Sequence, residues 1–307
     1  NGSISCTPEE QQPGGENGDL WERKYVMLGL DEYYRWVEQN PAVLEALKKH
    51  ADCLIAQIGH APKTEIVDLG WSATNIGHEA CHIESSTLLE PFMLMQHAVD
   101  PDSLVHEWAE SDLIQQACDN TLPYKMSGHY PKAYEMMSMF EGVVEYYRAT
   151  GDERCKQAFM NLYDNIRKNE LTIIGNAGAD QPYHPYVAGE AWGNTAFEQT
   201  NPDITRMMET CVGVTWLKFC SQIMRLTGDP SPVDEIEKYV YNGLLGAMKP
   251  SGDGFSYVNL LNGNKVVNYG WGWHFGDFYV TCCNLNGPMG LAYIPYVAVM
   301  EDDRGPI

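Results

Sequence analysis

Residues 32–59 read EYYRWVEQNPAVLEALKKHADCLIAQIG, and this stretch decides the fold because it holds two helices joined by a short turn. Asn40 suits the N-cap of the second helix, Pro41 its first turn and Gly59 the position after its end. The apolar residues that follow the helical period on one face are Leu44, Leu47, Ala51, Leu54, Ile55 and Ile58. The stretch therefore predicts a helical hairpin with one buried side.

The same unit, two helices around a turn with Asp and Gly or Pro, recurs at 93–108, 143–168 and 220–248. These copies differ in length and sequence, whereas the repeats of a solenoid keep both. They therefore predict an all-α fold that closes into a helical toroid. Its long connections (60–80, 170–205 and 250–290) are expected to line one end, with β-hairpin insertions in GFSYVNLL (254–261) and KVVNYGWGWHF (265–275).

Composition excludes several classes of partner. The chain has 307 residues, 44% of them hydrophobic, and a formal net charge of −22. Because phosphate binding needs clustered Lys and Arg, this balance argues against nucleic acid and anionic membranes as partners. No apolar run is long enough to span a membrane. A neutral ligand fits better, and the oligomeric state stays open.

The two ends and the cysteines give weaker expectations. Residues 1–18 carry neither Met nor an apolar signal segment and predict a flexible lead-in to one catalytic domain at 19–307. The abrupt end after an apolar run suggests that the natural polypeptide continues. Isolated cysteines in apolar helical patterns are expected to be core residues rather than disulfide partners. The compartment stays open, with a periplasmic or secreted location slightly favoured over a cytoplasmic one.

Two cysteine motifs predict a metal site. Cys282 and Cys283 are neighbours and cannot sensibly bond to each other, since a disulfide needs a longer Cα separation than adjacent residues have. Together with Glu209 and Cys211 of the ETC motif they make a plausible four-coordinate zinc set. Glu209 and Cys211 converge only if ETC is extended ahead of the helix at 212–226. The alternative is that these cysteines are ordinary core residues.

A second metal motif competes with the first. HEACH at 78–82 matches H-E-x-x-H, so His78 and His82 on one helix face could bind zinc, with Glu79 as the general base of a protease. No third His follows at the usual spacing, and Gly77 leaves little helix before the motif. The alternative is a helix start whose His residues line the mouth of the toroid.

Glu190 is the candidate acid. It lies in YHPYVAGEAWGNTAF (183–197), where Tyr186, Trp192 and Phe197 would raise its pKa by desolvation. Glu198 is the competing carboxyl, expected to be solvated. Aromatic residues that suit a sugar ring, or a hairpin core, precede the cysteine pair: Trp271, Trp273, His274, Phe275, Phe278 and Tyr279.

Five motifs in order carry a family resemblance: GEAWG (189–193), METCVGVTW (208–216), EIEKYVYNGLLGAM (235–248), FSYVN (255–259) and CCNLNGPMGLAYIP (282–295). With them the sequence resembles the β-L-arabinofuranosidase family, glycoside hydrolase family 127 and its relatives. The resemblance covers about the last 180 residues well. It implies an (α/α)6-barrel catalytic domain, followed in the family by β-sandwich domains.

The resemblance also implies roles. It implies a retaining hydrolase acting on a carbohydrate, with Zn²⁺ held by Glu209, Cys211, Cys282 and Cys283. Cys282 looks like the nucleophile and Glu190 like the acid/base, in the two-step scheme with sulfur in place of carboxylate. Glu237 and Tyr257 match positions that contact the sugar. One departure concerns the substrate: Lys132, with His129 nearby, replaces a His that usually binds sugar hydroxyls.

The sequence thus predicts a zinc-dependent retaining glycosidase that cleaves terminal furanosides such as β-L-arabinofuranosides from plant-type glycans. The two alternatives are the HExxH zinc protease and a sugar-binding barrel without catalysis.

Overall fold

The computed structural model describes residues 2–13, 19–66, 86–99, 111–121, 132–180, 189–263, 265–266, 273–275 and 278–306. Their α-helices are α1 Asp19–Trp36, α2 Pro41–Gln57, α3 Leu89–Val99, α4 Asp112–Thr121, α5 Ala133–Thr150, α6 Glu153–Asn165, α7 Thr195–Glu198, α8 Thr210–Thr227, α9 Ser231–Tyr239, α10 Leu245–Ala247 and α11 Cys282–Ala298. Single π-helical turns follow α6 and α9, at Ile166–Glu170 and Val240–Leu244. A 3-10 turn lies at Glu9–Gln11.

The strands form three short antiparallel hairpins. They are β1 Val258–Asn259 with β2 Lys265–Val266, β3 Trp273–Phe275 with β4 Phe278–Val280, and β5 Glu301–Asp302 with β6 Gly305–Pro306. In the first hairpin Val258 lies opposite Val266, and in the second Trp273 lies opposite Val280. The predicted all-α class with hairpin insertions is confirmed. None of the described helices is both long and apolar enough to cross a membrane.

The hairpin at 32–59 folds as its sequence predicts. The Asn40 side chain caps α2 by accepting a hydrogen bond from the Ala42 N–H at 2.9 Å. Gly59, which follows the C-cap residue, has φ of +152°. On the predicted apolar face, four residues are fully buried, and these are Leu47, Ala51, Leu54 and Ile58.

The chain divides into two compact units, and the first consists of Asn1–Pro131 and Ser138–Leu162. There α1 packs against α2 and α3. Two fully buried cations are paired, Arg23 with Asp19 at 3.2 Å and Lys24 with Glu90 at 3.0 Å, as buried charges must be. The described part of the lead-in lies against α2, because the Ile4 N–H donates to Nδ1 of His50 at 3.0 Å.

The second unit consists of Lys132–Met137 and Tyr163–Ile307 and is built around α8. Residues 210–224 of α8 are buried without exception, and the helix packs against α9 and α11. Tyr239 at the end of α9 crosses α8 at Gly213 and donates from its hydroxyl to the Thr210 carbonyl at 3.1 Å. A Cβ on Gly213 would lie 2.1 Å from the Tyr239 ring. The crossing therefore requires glycine.

We expect Gly213→Ala to lower the free energy of unfolding by about 1–3 kcal/mol, because the added methyl group overpacks a buried ring that cannot move aside. Gly29→Ala is the control, since Gly29 lies within α1 with open space around its Cβ position. That change should stabilise the chain by about 0.5–1 kcal/mol. Urea unfolding of both variants measures the difference, and equal midpoints would contradict the packing argument.

Candidate active site

Two helix N-termini bring four acidic side chains together. Glu209 is the N-cap residue of α8, with φ of −56° and ψ of 136°, and Cys211 lies in the first turn. Cys282 and Cys283 are the first two residues of α11, after the N-cap residue Thr281. Only Glu209 is extended: the helix begins at Thr210, so the prediction that the whole ETC motif lies extended ahead of a helix at 212–226 is wrong for Thr210 and Cys211. The positive ends of both helix dipoles favour negative charge at this point.

The four side chains form a compact cluster. The carboxylate oxygen of Glu209 and the three sulfurs all lie within 4.8 Å of one another. Sγ of Cys211 is 3.3 Å from Sγ of Cys283, and Sγ of Cys282 is 3.5 Å from Oε1 of Glu209. Glu209, Cys211 and Cys283 are buried, whereas Cys282 is exposed. Among the four residues, Cys282 is thus the one that reaches solvent.

Burial and mutual repulsion set the protonation of the cluster. Burial raises the pKa of Glu209, and the neighbouring charges of Glu190 and Cys282 raise it further. Burial likewise raises the pKa values of Cys211 and Cys283. The pKa of Cys282 is lowered, because the Cys211 and Cys283 thiols donate hydrogen bonds to its sulfur. The isolated cluster therefore favours a single thiolate, at Cys282.

A divalent cation fits this donor set. Three sulfurs and one carboxylate oxygen are ligands that Zn²⁺ takes in four-coordinate sites. In a tetrahedral site with Zn–S bonds of about 2.3 Å, neighbouring sulfurs lie about 3.8 Å apart. The spacings of 3.3 Å between two sulfurs and at most 4.8 Å across the cluster bracket that value. A cation would also offset the charge that burial makes unfavourable.

Glu190 is held next to the cluster by short backbone pairings. Ala191 pairs with both Ala179 and Lys132 in isolated β-bridges. The Glu190 carbonyl accepts from the Ala133 N–H at 2.7 Å. The Glu190 side chain is 1% exposed and accepts a hydrogen bond from the Tyr257 hydroxyl. Its second oxygen lies 3.1 Å from Nζ of Lys132.

Opposing influences act on the Glu190 carboxyl. Burial raises its pKa, while the Lys132 ammonium and the Tyr257 hydrogen bond act in the opposite direction. Lys132 also pairs with Glu135 at 3.0 Å. The pKa of Glu190 is raised overall, as predicted, although the residues that surround the carboxyl differ in part from those predicted. Trp192 is buried, but Phe197 is 71% exposed and does not desolvate Glu190.

Tyr257 reaches its place through α11. The Asn284 side-chain oxygen accepts from the Phe255 N–H at 2.8 Å. A Cβ on Gly287 would lie 2.3 Å from the Phe255 ring, so glycine permits this close contact. Tyr257 follows Phe255 by two residues, and its hydroxyl donates a hydrogen bond to Glu190. Hydrogen bonding from the same side chain lowers the pKa of Cys282. Tyr257 therefore connects the acid with the exposed thiol.

Glu170 was missed by sequence reasoning and supports the same loop. Its fully buried carboxylate accepts from the N–H groups of Gly193, Asn194 and Thr195 at 3.3, 3.0 and 2.9 Å. It also accepts from the Thr195 hydroxyl at 2.8 Å. Three consecutive backbone donors on one carboxylate fix the loop that carries Glu190. In the sequence, KNEL gives no sign of this role.

The other predicted residues stand apart or cannot be placed. Glu237 is exposed on α9, and no contact among the described residues joins its side chain to the cluster. Its contact with sugar therefore stays a prediction. His78, Glu79 and His82 of the HExxH motif lie outside the described residues. So do four other residues: Cys81, His129, Tyr186 and Trp271.

Comparisons with known proteins give the family and the fold. A family model described as "Beta-L-arabinofuranosidase, GH127 catalytic domain" matches residues 5–296. The chain is 22% identical to a curated non-reducing end β-L-arabinofuranosidase of Bifidobacterium longum subsp. longum, over 89% of this chain and 43% of that protein. The chain therefore spans less than half the length of this relative.

Solved structures support the fold class. A GH127 β-L-arabinofuranosidase from Geobacillus stearothermophilus T6 is similar with a TM-score of 0.64 and 17% identity, over 94% of this chain and 47% of that one. A cellobiose 2-epimerase from Bacillus thermoamylovorans B4167 is similar with a TM-score of 0.58 and 11% identity, over 90% and 71%. At these identities the likeness concerns the fold alone. The predicted (α/α)6-barrel class is confirmed.

We expect Glu170→Gln to lower the free energy of unfolding by about 2–3 kcal/mol, because the new amide turns a donor toward buried N–H groups. Backbone hydrogen exchange at residues 193–195 should accelerate as well. Glu198→Gln is the matched control in the same segment, since Glu198 is only partly buried and its side chain accepts a hydrogen bond from Asn201. This change should alter stability by less than about 0.5 kcal/mol. Unchanged exchange in Glu170→Gln would refute the support role.

Proposed function

This chain belongs to the β-L-arabinofuranosidase family, glycoside hydrolase family 127, and from that premise we propose that it is a zinc-dependent retaining glycoside hydrolase. Cys282 is the proposed nucleophile and Glu190 the proposed acid/base. The proposed substrate is a terminal β-L-arabinofuranoside of a plant-type glycan, in line with the activity that names its curated relative. The net charge of −22 suits a neutral carbohydrate.

One observation carries the proposal: Cys282 is the solvent-exposed residue of an otherwise buried donor set, and the Tyr257 hydroxyl that donates to Glu190 also lowers the pKa of Cys282. Metal ligands without a catalytic task would all be expected to be buried, as the other three are. A thiolate open to solution beside a buried carboxyl is the arrangement that a double displacement at a sugar carbon needs.

Glu209, Cys211, Cys282 and Cys283 would hold the ion. Bound Zn²⁺ would keep the cysteines deprotonated at neutral pH, since a coordinating thiol loses its proton. In the first step the Cys282 sulfur attacks the anomeric carbon, and the bond to the leaving oxygen breaks. That oxygen takes the bonding electrons and the proton of Glu190. The product of this half-reaction is a sugar bound through a thioether link to Cys282.

The second step restores the protein. The Glu190 carboxylate takes a proton from water, whose oxygen attacks the anomeric carbon, and the carbon–sulfur bond breaks. The electron pair returns to Cys282 as thiolate. Glu190 must therefore be protonated for one step and ionised for the next, which needs a pKa near the working pH. Burial raises the pKa of Glu190 in the direction that this requires, and the Lys132 ammonium opposes the rise.

Metal content gives the first test. We expect one divalent ion per chain by elemental analysis, and none in Cys211→Ala or Cys283→Ala, because each variant removes a buried ligand. Cys220→Ala is the matched control: Cys220 is also buried on α8, and its described neighbours are Glu235, Arg167 and Lys238 rather than the cluster. Retention of the ion in Cys211→Ala and its loss in His78→Ala would favour the HExxH alternative instead.

Single-turnover kinetics give the second test. With a 4-nitrophenyl arabinofuranoside, whose leaving group needs no proton, Glu190→Gln should release about one equivalent of nitrophenol and then stall with sugar on Cys282. Its steady rate should fall by about 10²–10⁴-fold, the usual contribution of an acid/base group. Cys282→Ala should show neither burst nor adduct by intact mass. Full activity of Cys282→Ala would refute the proposal.

A further inference from the structure

Asn286, the second asparagine of the TCCNLN stretch at 281–286, has no role in the mechanism so far. It follows Cys282 by four residues and Cys283 by three, so helical spacing places it on their side of α11. Its Nδ2 lies 3.0 Å from Sγ of Cys211. Its Oδ1 accepts from the Tyr134 hydroxyl at 3.4 Å. The amide thus spans from a tyrosine on α5 to a sulfur on α8.

The chemistry of the contact fixes its direction. With a metal ion bound, Cys211 would be deprotonated and its sulfur could only accept, so the amide must turn its N–H toward Cys211 and its oxygen toward the Tyr134 hydroxyl. Cys211 is 2% exposed and Tyr134 is 6% exposed, so water competes little for either. A buried anion needs donors to be tolerated. Asn286 is such a donor, and it is not itself one of the four ligands.

The charge of the loaded cluster explains why a donor is needed there. One carboxylate and three thiolates carry four negative charges against the two positive charges of a zinc ion, which leaves two negative charges in excess. A hydrogen bond to a ligand sulfur disperses part of that excess. Outer partners of this kind are worth about 10–100-fold in metal affinity.

We propose that Asn286, oriented by Tyr134, is a positioning residue that holds Cys211 as a permanent metal ligand through an N–H···S hydrogen bond. The proposal rests on the proposed metal site and deepens it. With the Cys282 sulfur bonded to the sugar, Glu209, Cys211 and Cys283 would remain to hold the ion. A donor on Cys211 strengthens this remaining anchor, whereas Cys282 stays exposed and is free to react.

The test measures metal affinity rather than activity, by competition with a chromophoric chelator for Zn²⁺. Asn286→Leu keeps the side-chain shape but removes the donor, and Asn286→Asp turns an oxygen toward the sulfur. We expect about 10-fold weaker binding in the first and a larger loss in the second. The control is Leu285→Ala on the same turn of α11, since Leu285 is 67% exposed; it should stay within about twofold of wild type.

A cobalt spectrum separates the hydrogen bond from a general packing effect. Loss of an N–H···S bond raises the energy of the sulfur electrons, so the thiolate-to-Co²⁺ absorption band should move to longer wavelength in Asn286→Leu. Tyr134→Phe should shift the band in the same direction by a smaller amount. Because Tyr134 lies on α5, this variant still tests the hydrogen bond if the Asn286 variants do not fold.

The outcomes are distinct. Zinc affinity within twofold of wild type in both Asn286 variants, or an unshifted cobalt band in Asn286→Leu and Tyr134→Phe, overturns this inference while the proposed function stands. An equal loss in Leu285→Ala also overturns it. A wild-type chain that takes up no zinc overturns both the inference and the metal site of the proposed function.

Discussion

The site depends on one electrostatic constraint: four acidic side chains share a space less than 5 Å across, and three of them are buried. Burial raises the pKa values of Glu209, Cys211 and Cys283, because this space accepts negative charge poorly without a cation. The fold lowers the cost of negative charge at the cluster by placing two helix N-termini there. A bound cation would ease it further, and the donor set has the composition for one.

That convergence requires α8 and α11 to approach closely, and glycine permits close packing between them and against their neighbours. A Cβ on Gly290 of α11 would lie 2.9 Å from the Val214 side chain of α8. A Cβ on Gly287 would overlap the Phe255 ring, and one on Gly213 would overlap Tyr239. A larger residue at Gly290 would therefore push α11 away from α8 and separate the helix ends that form the cluster.

Sequence reasoning reached the parts of this arrangement that local patterns encode. The cap of α2 by Asn40 follows from side-chain chemistry within a few residues. The meeting of Glu209 with Cys211 was predicted from the ETC motif, although Glu209 alone is extended and Cys211 is already helical. The supporting carboxylate Glu170 did not follow, because its donors lie 23–25 residues away and any backbone N–H can serve. The contact of Asn286 with Cys211 spans 75 residues and has no periodic signature. The motif match predicts a sugar contact for Glu237, which is exposed on α9, and that contact stays a prediction.

Adjacent cysteines are well suited to two unlike tasks. Successive residues at the start of a helix point about 100° apart, because a turn takes about 3.6 residues. Cys283 can therefore be fully buried in the cluster while Cys282, one residue before it, faces solution. Two cysteines placed three or four residues apart would share one face and one degree of burial. Under the proposed mechanism the ion must stay in place while one of its sulfurs reacts, and direct adjacency gives an anchor and a nucleophile from a single turn of α11.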